Sequence, residues 1–172
     1  MIENLKLVLK EDVLATYELD GKESKLPLEA IRKYWDYANE ADLEGAKLYT
    51  DDNNVVALLA TASDQGGVVV IWDAASEEIT HISDASYTVA VDIYEGKVFT
   101  LSFIQSFGTP LTAKMFIEPV GTMDAFKEAD EDRNFEFEEL SDYDGDASDV
   151  SLTVDADNYI INIKDKEFVV NR

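Results

Sequence analysis

A chain of 172 residues, 46% of them hydrophobic, is long enough for a single domain with a real core. Its formal charge of -23, from 37 acidic against 14 basic residues, argues against binding DNA, RNA or an anionic membrane. Such contacts neutralise phosphates with cations, whereas this charge attracts a basic protein or a metal ion, or serves solubility alone. The absence of cysteine removes disulfides, thiolate metal sites and cysteine nucleophiles at once, and fits a reducing compartment.

Residues 1–10 alternate polar and apolar side chains and contain no apolar run of signal-peptide length. No stretch approaches the ~18 consecutive apolar residues of a membrane helix, so the expectation is a soluble, cytoplasmic protein. Leu5, Leu7 and Leu9 alternate with Lys6, Val8 and Lys10, and Val13, Ala15, Tyr17 and Leu19 resume that period after Glu11 and Asp12. A hairpin is expected there, with Asp20-Gly21 as the next turn. The period then changes. Leu28, Ile31, Trp35 and Ala38 share one face of a helix expected over about 28–40, with Pro27 near its first turn and Gly45 beyond its end. The aromatic residues Tyr34, Trp35 and Tyr37 dock such a helix on a sheet.

From 46 to 120 the sequence reads as strand after strand. The clusters 51–54 and 63–67 are turns that bracket one long apolar run. The run 68–72 is nearly continuous in β-branched residues and predicts a strand covered on both faces. Strands follow at 79–83, 87–94, 97–104 and 111–117, with Glu95-Gly96 as a tight turn and Gly108-Thr109-Pro110 as a break. A weak repeat is visible: Val55 and Val98, 43 residues apart, occupy matching places after turns, and 154–160 echoes them. That spacing is close to the period of propeller blades.

Composition changes over 118–149, where thirteen Asp or Glu face only Lys127 and Arg133. Phe135 and Phe137 alternate with Asn134, Glu136 and Glu138, as in an edge strand whose charges discourage further pairing. Strands close the chain at 150–154, 159–163 and 167–170, with turns at 155–158 and 164–165. The expected organisation is a single domain over 1–172. It comprises a hairpin plus helix over 1–45, a strand-rich core over 46–120, an acidic loop-rich segment over 121–149 and C-terminal strands over 150–172.

The stretch Leu58-Leu59-Ala60-Thr61-Ala62-Ser63-Asp64, followed by Val69-Val70-Ile71-Trp72-Asp73, resembles the second and third strands of a WD40 β-propeller blade. Residues 77–83 and 88–92 fit that blade's outer strand and the next blade's inner one. The resemblance covers about one blade within 55–103, under a third of the chain. It implies that Trp72 packs in a hydrogen-bonded set that includes Asp64, and that the chain is a scaffold for protein–protein contacts. The turn between Asp64 and Trp72 is longer than the family's, no Gly-His dipeptide precedes the blade, and the repeats do not each carry Trp-Asp.

Asp142, Asp144, Asp146 and Asp149 form the most site-like cluster, since carboxylates on alternate residues of a tight loop converge on a hard cation such as calcium. The run is similar to the calcium loops of FG-GAP propeller repeats, with its last Asp one residue early and Ala147 in place of the usual Gly. As an EF-hand it fails, because its twelfth position is Thr153 and not Glu. Asp130, Asp132 and Asn134 open a second such loop, with Phe135 where Gly is needed. The bland alternative is a solvated acidic loop.

His81 is the one histidine and alternates with apolar neighbours, as on a surface strand. No phosphate-binding glycine loop and no histidine pair for zinc is present. The sequence therefore predicts a mainly β, antiparallel fold, as propeller-like blades or a sandwich, with one amphipathic α-helix. Its expected function is that of a non-enzymatic protein-interaction module with no catalytic residues and no cofactor beyond calcium. The alternatives are an acidic inhibitor or immunity-type protein covering a basic surface of a nuclease or nucleic-acid-binding protein, and a calcium-stabilised binding domain.

Overall fold

The structure is a computed structural model, and it describes residues 8–9, 15–19, 21–26, 28–34, 46–51, 54–62, 66–84, 88–105, 113–119, 134–136 and 150–172. The fold is mainly antiparallel β, as the sequence periods predict. The chain divides into two compact units, Met1–Ser86 and Tyr87–Arg172, each of which is taken by itself.

In the first unit, β1 (Val8–Leu9), β2 (Ala15–Leu19) and β3 (Lys22–Lys25) form an up-and-down sheet. The β1–β2 hairpin is the one expected from the Leu alternation. Strand β3 was not legible as a strand: Lys22, Glu23 and Lys25 are exposed, and its pairing with β2 follows from the turn before it. Gly21 in that turn has φ of +76°, a left-handed conformation that glycine adopts at little cost, and open space surrounds the position of a Cβ. Helix α1 (Leu28–Tyr34) follows, with Glu29 in its first turn and Arg32 and Lys33 in its last, each matching the helix dipole. The rest of the expected helix, 35–40, lies outside the described residues.

Strands β4 (Lys47–Thr50), β5 (Val55–Ala62), β6 (Gly66–Asp73) and β7 (Ile79–Asp84) make a four-stranded antiparallel sheet in chain order. Register sets its core. Val56 lies opposite Trp72, Leu58 opposite Val70 and Ala60 opposite Val68, so these six side chains share one face. All six are buried and pack with Tyr17 of β2, Leu26, and Leu28 and Ile31 of α1. Each valine, leucine or isoleucine among them contributes about 1.5–3 kcal/mol on burial. Ala57, Leu59, Val69 and Ile71 point to the other face and are buried too. Burial on both faces is why 68–72 shows no polar alternation.

Trp72 brings a polar atom into this core. Its indole N–H donates to the Tyr17 hydroxyl at 3.1 Å, and the two rings meet edge to face at 5.7 Å and 71°. The WD40 resemblance implies a set that includes Asp64; the partner found is Tyr17, and Asp64 lies outside the described residues.

In the second unit, β8 (Thr88–Tyr94), β9 (Lys97–Gln105), β10 (Ala113–Pro119) and β11 (Asn134–Glu136) form a four-stranded antiparallel sheet, and β11 is an edge, as its charges predict. Strands β12 (Val150–Val154), β13 (Asn158–Ile163) and β14 (Lys166–Asn171) form a three-stranded one. The Glu95-Gly96 turn has φ of 50° and 73°, the left-handed pair of a tight hairpin. Val89, Ala90, Phe99 and Leu101 of the first sheet pack on Val150, Leu152, Val154, Ile161 and Ile163 of the second. A bulge between Thr88 and Ala90 lets the adjacent Val89 and Ala90 both join this core. The sheets are also tied by Asp92, whose Oδ2 accepts the N–H of Val154 at 2.6 Å. Burial pushes the Asp92 carboxyl above its ordinary range, although the Val154 and Ile93 amides partly oppose that rise.

The three echoing stretches of sequence now have one structural meaning. They are the turns β4–β5, β8–β9 and β12–β13, each joining the first two strands of a sheet.

Two outcomes follow from these buried polar links. Tyr17→Phe takes the hydroxyl acceptor from the buried indole N–H and is expected to cost about 1–3 kcal/mol in urea unfolding. The double variant with Trp72→Phe is expected to lose less than the sum of the two single losses, because neither lone partner is then left behind. For Asp92 the folded pKa lies above its ordinary value, so its ionisation opposes folding. Stability from this group is highest below that value and declines as pH rises through the folded pKa. Asp92→Asn keeps an acceptor for Val154 and removes the charge. Its melting temperature relative to the parent is expected to be higher at pH 7 than at pH 4.

Candidate interaction edge

Strand β14 is built outward from the turns that hold its sheet. In the β12–β13 turn, Asp155 Oδ1 accepts the N–H groups of Asp157 at 2.8 Å and Asn158 at 2.7 Å. These amides, Asp157 first, hold the Asp155 carboxyl below its ordinary range. The β13–β14 turn, Lys164-Asp165, has Lys164 at φ of 53° and joins Ile163 to its partner Lys166.

The ladder's parity decides which way β14 faces. Arg172 N–H donates to Asp157 O at 2.8 Å. Hydrogen-bonded pairs alternate in an antiparallel ladder, so Val170–Tyr159, Phe168–Ile161 and Lys166–Ile163 are the pairs bonded to β13. The backbone N–H and C=O of Glu167, Val169 and Asn171 therefore point away from β13. Their side chains share the outer face, and all three are exposed. Phe168 and Val170 point to the other face and are half-buried, Phe168 against the core. Strand β14 is thus an edge whose outer side carries backbone donors and acceptors facing solvent.

Val169 is the anomaly on that edge. At 58% exposure it is the one exposed large hydrophobic residue among the described residues. On the outer face it lies beside half-buried Ile160, which in turn lies opposite Thr153. The flanking row is polar: Ser151, Asn162 and Glu167.

The end of the strand is pinned. The Arg172 guanidinium lies 5.0 Å from the ring centres of both Tyr94 and Phe99, and its Nη1 donates to Asp155 O at 3.0 Å. A cation over aromatic faces contributes about 0.5–1 kcal/mol at exposed sites. The edge is held in the geometry a further strand would need.

Asp142, Asp144, Asp146 and Asp149, like the second loop's Asp130 and Asp132, lie outside the described residues. Asn134 of that second loop opens β11. Among the described residues no group of three or more His, Asp or Glu side chains is placed to hold a metal ion. His81 sits on β7 opposite Ile71, half-buried, and burial lowers its pKa, so the ring is neutral at pH 7. No helix among the described residues is long and apolar enough to cross a membrane.

The sequence places a strand at 167–170 without singling out Val169. The signal was present: a valine in the parity of Glu167 and Asn171 breaks an otherwise polar face. Only the register shows that this face is also the open edge. No protein-family model, curated protein or solved structure matches the chain.

Arg172→Ala is expected to loosen the end of β14. Hydrogen exchange at the Phe168 and Val170 amides, which bond to β13, should accelerate about fivefold, as befits a loss near 1 kcal/mol. The Ile161 amide on the neighbouring central strand should change far less.

Proposed function

We propose that the chain is a non-enzymatic protein-interaction module that binds by strand addition along β14. The observation that carries this reading is the exposed edge with Val169 at its centre, 58% exposed, and the unused backbone groups of Glu167, Val169 and Asn171 beside it. An added strand gains main-chain hydrogen bonds for affinity, and alternate side chains supply selectivity. Support also comes from the four-stranded, up-and-down order of β4–β7, an order that propeller blades share with other antiparallel sheets. A cysteine-free chain of this charge suits the cytoplasm. Calcium binding by Asp142, Asp144, Asp146 and Asp149 is a separate proposal that rests on their spacing alone.

Proline at an edge position whose N–H faces solvent breaks no ladder bond, yet it removes a donor that an incoming strand needs. Capture from native lysate with the parent chain and with Val169→Pro tests the reading. The expected result is a specific protein retained by the parent and lost by the variant at unchanged melting temperature. Equal retention of that protein by both overturns strand addition at β14.

A further inference from the structure

We infer that the strand added to β14 is β14 of a second copy of this chain, related by a two-fold axis through Val169. This rests on the reading of β14 as a pairing edge and goes beyond it by naming the occupant.

The argument is one of register. Only the outward residues Glu167, Val169 and Asn171 have free backbone groups, so a two-fold antiparallel pair must match odd-numbered positions with odd-numbered ones. Centred on Glu167, the pairing sets two carboxylates opposite each other. Centred on Phe168, it sets Glu167 opposite Val169 and Asp165 opposite Asn171. Centred on Val170, it sets Val169 opposite Asn171 and Phe168 opposite Arg172. Centred on Val169, every position from 167 to 171 finds a compatible partner. Val169 meets Val169 of the second copy, Phe168 meets Val170, and Glu167 meets Asn171. Aromatic and β-branched residues placed opposite each other are favourable cross-strand pairs. The leftover contact is Lys166 with Arg172, and the Arg172 guanidinium is already turned onto Tyr94 and Phe99.

Charge selects the same contact. The chain carries -23 overall, yet residues 158–172 contain Lys164, Lys166 and Arg172 against Asp165 and Glu167. Two copies that meet at β14 meet on a stretch without the net negative charge that dominates the chain. At physiological salt the remaining charge acts over a Debye length of about 8 Å and opposes broader contact. A two-fold contact of this kind uses the same strand from both copies and closes at the dimer, with a six-stranded sheet across it.

The first test is solution mass by size-exclusion chromatography with light scattering on the full chain over a range of concentrations. The expected result is twice the 19.2 kDa of one chain, with Val169→Pro weakening the dimer at least tenfold at unchanged melting temperature. A second test covers the case in which that variant does not fold. Val169→Cys introduces one thiol into a cysteine-free chain, at a position that pairs with itself. A hydrogen-bonded pair holds its Cα atoms about 5.5 Å apart, within disulfide range. Mild oxidation should link two chains, whereas Ser151→Cys on β12, roughly 24 Å from its own copy, should not cross-link. A chain that stays monomeric, a dimer indifferent to Val169→Pro, or cross-linking equal at positions 169 and 151 overturns the inference. A monomer that still loses a lysate partner in Val169→Pro overturns the second copy and leaves strand addition standing.

Discussion

A tryptophan cannot be fully buried for its area alone, because its N–H must find an acceptor. Trp72 finds one in Tyr17, 55 residues earlier in the chain, and both side chains are 98% removed from solvent, each at 2% exposure. That bond decides how the first unit assembles. It joins β2 to the face of β6 that carries Val68 and Val70, in the same core as Leu28 and Ile31 of α1. The alternation of β2 and the period of α1 each say that one side is apolar. The Trp72–Tyr17 pair says which apolar side meets which.

The second unit ties its sheets with a costlier device. Asp92 reaches from β8 to the Val154 amide on β12, and burial pushes its carboxyl upward. A neutral hydroxyl and indole satisfy each other with no charge to desolvate, whereas a carboxylate in the same role is opposed by its own ionisation. The short bond and the raised pKa together describe a link kept for geometry: it holds β12 against β8 so that Leu152 and Val154 meet Ala90 and Leu101.

Most strands were legible because their side chains report burial with period two, and the continuous run 68–72 was legible for the converse reason. Strand β3 was not, since Lys22, Glu23 and Lys25 bury nothing and their ladder with β2 is a backbone property. The helix was legible from Leu28 and Ile31. The acidic cluster at 142–149 was legible only as a composition, and its geometry lies outside the described residues. The Tyr17–Trp72 and Asp92–Val154 links were invisible for a common reason. Each joins residues more than fifty positions apart through single polar atoms, and no local period encodes such a pairing.

Two of the edge strands, β3 and β14, show what protects an edge and what exposes one. On β3 charged side chains occupy three of four positions, so an added strand meets charge along its whole length. On β14 the charges stand at one end, at Lys166 and Glu167, and beyond the other end at Arg172, which leaves Phe168, Val169, Val170 and Asn171 uncharged. A window that short admits a brief pairing and resists stacking into a fibril, because charge returns on both sides of it. Arg172 bonds back to Asp155 and Asp157 and holds this end of the strand against the β12–β13 turn. Four uncharged residues between flanking charges, with an exposed valine among them, leave room for a brief pairing and little for stacking.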